Sequence, residues 1–176
     1  MAGPIPKLDF KALSLMDALD FAILIEEEAR DRYEELADQL EIHRTPDAAK
    51  FFRFMSRNEE KHRGHLAGRR AELFGEQASR ARREMLFDVE APEYDEARAF
   101  MSVREALHAS LRSEEKAHQF FVSALEHVTD AEVKVLFEEL RGEELEHVRL
   151  LNVELEKLPP DPIARVEDFE DDPAPQ

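Results

Sequence analysis

The chain repeats itself, and the repeat interrupts what should be its core. Asp17-Ala18-Leu19 through Tyr33 aligns with Glu105-Ala106-Leu107 through Phe121 at an offset of 88 residues. Lys50 to His62 aligns with Val135 to His147 at an offset of 85. Under the first alignment Glu26-Glu27 falls on Glu114-Glu115, Ala29 on Ala117 and Tyr33 on Phe121. Under the second, Phe52 falls on Phe137, Met55 on Leu140, Glu59 on Glu144 and His62 on His147. Each half thus reads as a helical hairpin with one Glu on the apolar stripe of its first helix and Glu-x-x-His on that of its second. Stepping about 100° per residue from Glu144 puts Val133, Phe137, Leu140, Leu151 and Leu155 within about 40° of it, and His147 about 60° away. A carboxylate or an imidazole buried there costs several kcal/mol unless something pairs with it.

Helix signals place the four segments. Ser14 with Asp17 caps a first helix over about 15–41, its stripe running Leu15, Leu19, Ala22, Glu26, Ala29, Tyr33, Leu36, Leu40. Thr45 as N-cap and Pro46 in the first turn start a second helix over about 46–74 that stops at Gly75. Its stripe is Ala48, Phe52, Met55, Glu59, His62, Leu66 and Leu73, and Gly64 and Gly68 inside it either weaken the helix or allow a close helix contact. Residues 75–99, with Arg80, Arg82, Arg83 and Pro92, read as a long crossover with a helical turn or two and solvated arginines. A third helix over about 96–127 carries Val103, Leu107, Leu111, Glu114, Ala117, Phe121 and Leu125. Thr129 with Glu132 forms a capping box for a fourth, which Pro159-Pro160 ends. The domain plan is therefore a lead over 1–14, an all-α antiparallel four-helix bundle over 15–158 and an acidic, proline-rich, disordered tail over 159–176.

Composition removes other chemistries. With no cysteine there is no disulfide, thiolate zinc site or iron–sulfur cluster. No apolar run approaches the ~18 residues of a membrane span and no signal core opens the chain, which predicts a soluble cytoplasmic protein. A formal net charge of −17 argues against nucleic acid and anionic membranes and favours attraction of cations.

Glu and His three apart on one helix face the same way and can hold the same ion. Four carboxylates and two imidazoles converging in a bundle core would repel, and two divalent cations would offset the charge. Hard oxygens with a few imidazoles suit iron or manganese, and the lack of sulfur disfavours copper(I). In the simplest arrangement His62 and His147 each cap one metal, Glu59 and Glu144 lie between the metals, and Glu26 and Glu114 are terminal ligands. A third Glu-x-x-His, Glu115 to His118, is a chance copy: its Glu lies about 100° off the stripe and its repeat partner Glu27 is followed by Arg30 where the His should stand. His118 lies about 40° from Glu114, within range of a supporting hydrogen bond or an extra ligand position. Tyr33 reads as a core aromatic or as a donor to a ligand Glu, and His43, His65, His108 and His127 as solvated.

At these residues the chain resembles the rubrerythrin branch of the ferritin-like di-iron carboxylate proteins. The match is Glu26-x-x-Ala29-x-x-x-Tyr33 with Glu59-x-x-His62, and Glu114-x-x-Ala117-x-x-x-Phe121 with Glu144-x-x-His147, over roughly residues 15–157. The resemblance implies a ferritin-like fold, those six residues as ligands of two iron ions, and oxidation of Fe(II) with reduction of hydrogen peroxide or dioxygen. It also implies a homodimer or larger homo-oligomer and a role in peroxide and iron detoxification. Iron storage or delivery, in a cage or as cargo inside one, and a di-manganese catalase-like chemistry are the alternatives it leaves open. Two features depart from the family pattern. The four cysteines of a rubredoxin domain are absent, so the electron donor is expected to be external. Ala117 stands where the family often has a further Glu three residues after the third-helix ligand.

Overall fold

The structure, a computed structural model, describes residues 9–42, 45–85, 89, 91–92 and 101–159. It is all α: α1 spans Leu15–Ile42, α2 Pro46–Phe74, α3 Val103–Leu125 and α4 Ala131–Lys157. Among the described residues between α2 and α3, Arg83–Met85 forms a 3₁₀ turn. At about 1.5 Å per residue each long helix is roughly 35–45 Å in length.

Ser14 caps α1, its Oγ accepting from Asp17 N at 3.2 Å and donating to the Asp17 carboxylate at 2.6 Å. Gly75 ends α2 at a φ of 57°, the left-handed conformation that a side chain would resist. Two expected caps differ. Thr45 is the N-cap of α2 by position, but its hydroxyl donates to Leu40 O, so Pro46 and the fold-back carry that start. Asp130, not Thr129, caps α4. Its carboxylate accepts from Glu132 N and Val133 N, and Thr129 Oγ1 is drawn off to Lys11 O. A carboxylate at a helix N-terminus also meets the positive end of the dipole, which a hydroxyl does not. α3 starts at Val103 with a full capping box, Ser102 with Glu105. The earlier start expected for it, at 96, lies outside the described residues.

The apolar stripes fall inside as the sequence spacing predicts, with one exception. Leu73 is exposed, and Phe74 beside it packs against the core instead. Gly64 and Gly68 are exposed with open space around the position a Cβ would take, so no close helix contact explains them. The core forms two clusters. One contains Leu19, Ile25, Leu66, Phe121, Phe137 and Leu140; the other contains Tyr33, Leu40, Phe52, Met55, Leu107 and Leu151. α1 and α4 pass from the first cluster to the second, and α2 and α3 pass from the second to the first. The hairpins are therefore each antiparallel. The end of α2 and the start of α3 lie at opposite ends of the bundle, and this is why a long crossover is required.

That crossover is pinned along the α1–α3 side. Arg80 pairs with Asp17 at 2.6 Å, and Arg83 pairs with Asp31 at 2.7 Å and Glu27 at 2.9 Å. Arg32 Nη1 donates to Pro92 O, and Lys116 Nζ donates to Ala91 O. Two of the arginines expected to be solvated are thus ties between the crossover and α1. Arg82 remains exposed. Residues 1–8, 86–88, 93–100 and 160–176, and with them most of the lead, part of the crossover and the acidic tail, lie outside the described residues, as does His43.

Candidate metal centre

The four stripe carboxylates come from four different helices and meet between the two apolar clusters. Glu26, Glu59, Glu114 and Glu144 are each no more than 3% exposed. They form two groups with the histidines: Glu26, Glu59 and His62, and Glu114, Glu144 and His147, each with its ligand atoms within 4.8 Å of one another. His62 Nδ1 lies 3.5 Å from Glu59 and 3.7 Å from Glu26. His147 Nδ1 lies 3.0 Å from Glu114 and 3.7 Å from Glu144. In both groups the i to i+3 spacing on one helix supplies a Glu and the His, and the hairpin partner supplies the other Glu. The two imidazoles stack at 4.8 Å with a 5° interplanar angle, so the groups sit side by side.

The electrostatics show a site short of positive charge. Burial, then the neighbouring Glu59 and Glu144, push the Glu26 carboxyl well above its usual 4.5. Burial raises Glu144 in the same way despite the opposing pull of His147. Burial also raises Glu59, against the pull of the nearby His62. For His147, burial favours the neutral ring, but its hydrogen bond with Glu114 and the nearby Glu144 carboxylate outweigh it and hold the imidazolium up to about 11. Even so, Glu26 Oε2, Glu59 Oε2 and Glu144 Oε2 are buried with no hydrogen-bond partner. Buried carboxylate oxygens without partners are costly in a closed fold. All three lie in the two Glu/His groups, a donor set of hard oxygens and imidazoles suited to divalent cations.

Around the groups the halves differ. Tyr33 Oη donates to Glu114 Oε1 at 3.4 Å, while Phe121, its repeat equivalent, can donate to nothing. Ser110 and Ser113, on the same helix as Glu114, are buried with hydroxyls that have no partner. Sequence reasoning passed over both, although for Ser110 a small polar residue about 40° from Glu114 on an apolar stripe was the signal; Ser113 lies about 100° away and gave none. It also missed the buried pair of Arg70 with Asp20 at 2.7 Å. His118 is partly buried and joins neither group. Ala29 and Ala117 are fully buried one turn beyond Glu26 and Glu114.

A family model described as rubrerythrin matches residues 17–155. Among solved structures, the chain is 30% identical to an uncharacterised conserved protein from Magnetospirillum magnetotacticum, covering 84% of this chain and 97% of that one at a TM-score of 0.63. It is 24% identical to a bacterioferritin from Rhodobacter capsulatus that was solved with a metal-free dinuclear site and haem iron, covering 80% and 82% at a TM-score of 0.54. A hypothetical protein from Pyrococcus furiosus is 22% identical, covering 82% and 89% at a TM-score of 0.51. The last two likenesses are of fold, and the bacterioferritin marks that fold as ferritin-like. No curated protein matches the chain.

Proposed function

The chain belongs to the rubrerythrin family, and from that premise we propose that it is a non-haem di-iron oxidoreductase, oxidising Fe(II) with reduction of hydrogen peroxide or dioxygen. The observation that carries this is the set of three orphaned, buried carboxylate oxygens beside two imidazoles. Glu26, Glu59 and His62 would hold one ion, and Glu114, Glu144 and His147 the other. Two ferrous ions, once bound, supply the two electrons that peroxide reduction needs.

The chain's own groups do the rest. The apolar clusters above and below the carboxylate layer exclude water along the bundle axis. The Nδ1–H of His147 holds a proton against Glu114, and that nitrogen must release it before it can ligate. The Tyr33 hydroxyl orients Glu114 by donating to its second oxygen. Losing that bond by Tyr33→Phe should leave two ions per chain and slow the oxidation step by roughly tenfold.

The test is an anaerobic titration of the purified chain with Fe(II), followed by peroxide and dioxygen in separate mixes. The expected result is two irons per chain and prompt ferric absorption with at least one oxidant. Uptake of fewer than two irons, or persistence of ferrous iron with both oxidants, would overturn the assignment. Accumulation of many irons per chain would point to storage instead.

A further inference from the structure

The crossover covers the α1–α3 side of the bundle, and the α2–α4 side has two cavities, one on each side of the stacked imidazoles. The cavity beside His62 is small, about 130 Å³, and charged, with Arg69 and Glu139 paired across it at 2.6 Å. The cavity beside His147 is about 360 Å³, and its walls are Phe51, Phe54, Met55, Leu150 and Leu151, with Asn58 the one polar side chain among them. Its inner end is closed by Glu59 and His147. Phe54 and Leu150 are about half exposed at its rim, so the apolar walls continue to the surface.

We propose that this cleft binds the apolar body of a neutral organic molecule whose polar end, a hydroxyl or hydroperoxyl, meets Glu59 and His147. Size sets the body. A cavity of ~150 Å³ holds benzene, so this one takes roughly a dozen heavy atoms. Charge sets the head. Glu154 at the rim and a net charge of −17 reject an anion, and the two divalent ions proposed at Glu59 and His147 would reject a cation at the floor. A small inorganic oxidant needs no such walls. The cleft therefore extends the proposed chemistry toward organic hydroperoxides, whose O–O bond would break on taking two electrons from two Fe(II) and two protons, giving the alcohol and water; it rests on that proposal only for the role of Glu59 and His147 at its floor.

Binding can be measured without metal or turnover. The metal-free full chain is titrated with 1-octanol and with octane-1,8-diol while the methyl signals of Met55, Leu150 and Leu151 are followed by NMR. We expect saturable shifts with 1-octanol. The diol should bind at least about tenfold more weakly, because its far hydroxyl is buried against carbon. Leu150→Lys, at an exposed position, should weaken 1-octanol by about tenfold, since the ammonium would be desolvated beside the bound chain. Val135→Lys, equally exposed on α4 but outside the cleft, should leave binding unchanged. Absence of saturation, equal binding of the two alcohols, or equal loss in both variants would overturn the assignment. So would a concentration-dependent dimer, seen by sedimentation and broken by Leu150→Lys, since a second copy would then occupy the cleft. Iron uptake is a separate measurement, so failure of the metal site and failure of the cleft are told apart.

Discussion

Glu26 is the residue whose surroundings fit it least. It is buried, its carboxyl is pushed well above the usual range by burial and by Glu59 and Glu144, and one of its oxygens is left unpartnered. Glu26→Gln removes the titrating group while keeping its shape. The metal-free variant should be about 1–2 kcal/mol more stable than the parent, and the rise in melting temperature that metal gives the parent should largely vanish. Glu138→Gln, on the exposed face of α4, should change neither. Equal behaviour of the two variants in calorimetry with and without Mn(II) would remove Glu26 from the site. The same groups set the pH dependence. Glu26, Glu59 and Glu144 have folded values above 4.5, and His147 is held at about 11 against 6.5. The folded chain thus binds more protons than the unfolded chain between these limits. The carboxyl contributions are whole below 4.5 and lost as pH rises through the folded values; that of His147 is whole below 6.5 and lost through about 11. The melting temperature of the metal-free protein should therefore fall steadily from pH ~5 to pH ~9, and a rise over that range would contradict the assigned protonation. Metal uptake near neutral pH should release at least about two protons per chain, measurable with a pH indicator in weak buffer.

At the scale of the element, the helices were legible because each stripe is long and strictly periodic. α1 and α2 begin and end within a residue of the expected bounds, since Ser14, Pro46 and Gly75 are local signals that no tertiary contact overrides. The start of α4 was misassigned by one residue for a physical reason. Thr129 and Asp130 both qualify as caps, and only the fold shows that Lys11 O claims the threonine hydroxyl. Asp130→Ala should accordingly cost about 1 kcal/mol, or ~2–4 °C in melting temperature. Thr129→Ala should stay within about 0.5 kcal/mol, and the reverse order would restore the threonine as cap. The convergence of the six site residues was visible in the repeat, because equal helical phase at equivalent positions forces a common layer. Other features left no periodic trace. The Arg70–Asp20 pair joins α2 to α1, and the Arg80 and Arg83 ties and the open α2–α4 side depend on where the crossover lies. A segment with no stripe does not reveal its path.

Across the whole molecule, the bundle is two apolar cores separated by one polar layer. Each helix contributes one carboxylate to that layer, so it lies where the two hairpins must agree in register. No described helix is long and apolar enough to cross a membrane. A layer of four buried carboxylates is the weakest part of such a stack, and it is the part that divalent cations would strengthen. Mn(II), with the same preference for oxygen and imidazole, isolates this effect from redox chemistry when no oxidant is added. At one hundred times its dissociation constant a single bound ion adds about 2.7 kcal/mol to folding, or roughly 5–11 °C for a chain of this length. The gain should grow with pH, because the ions displace protons that are already less secure. Hydrogen exchange locates the effect. With Mn(II), amides near Glu26, Glu59, Glu114 and Glu144 should slow together, in all four helices, since one ion would sit in each hairpin and the two groups lie side by side in one layer. Protection confined to one hairpin, or saturation at one ion per chain, would mean that the layer is two separate half-sites and not a shared dinuclear centre.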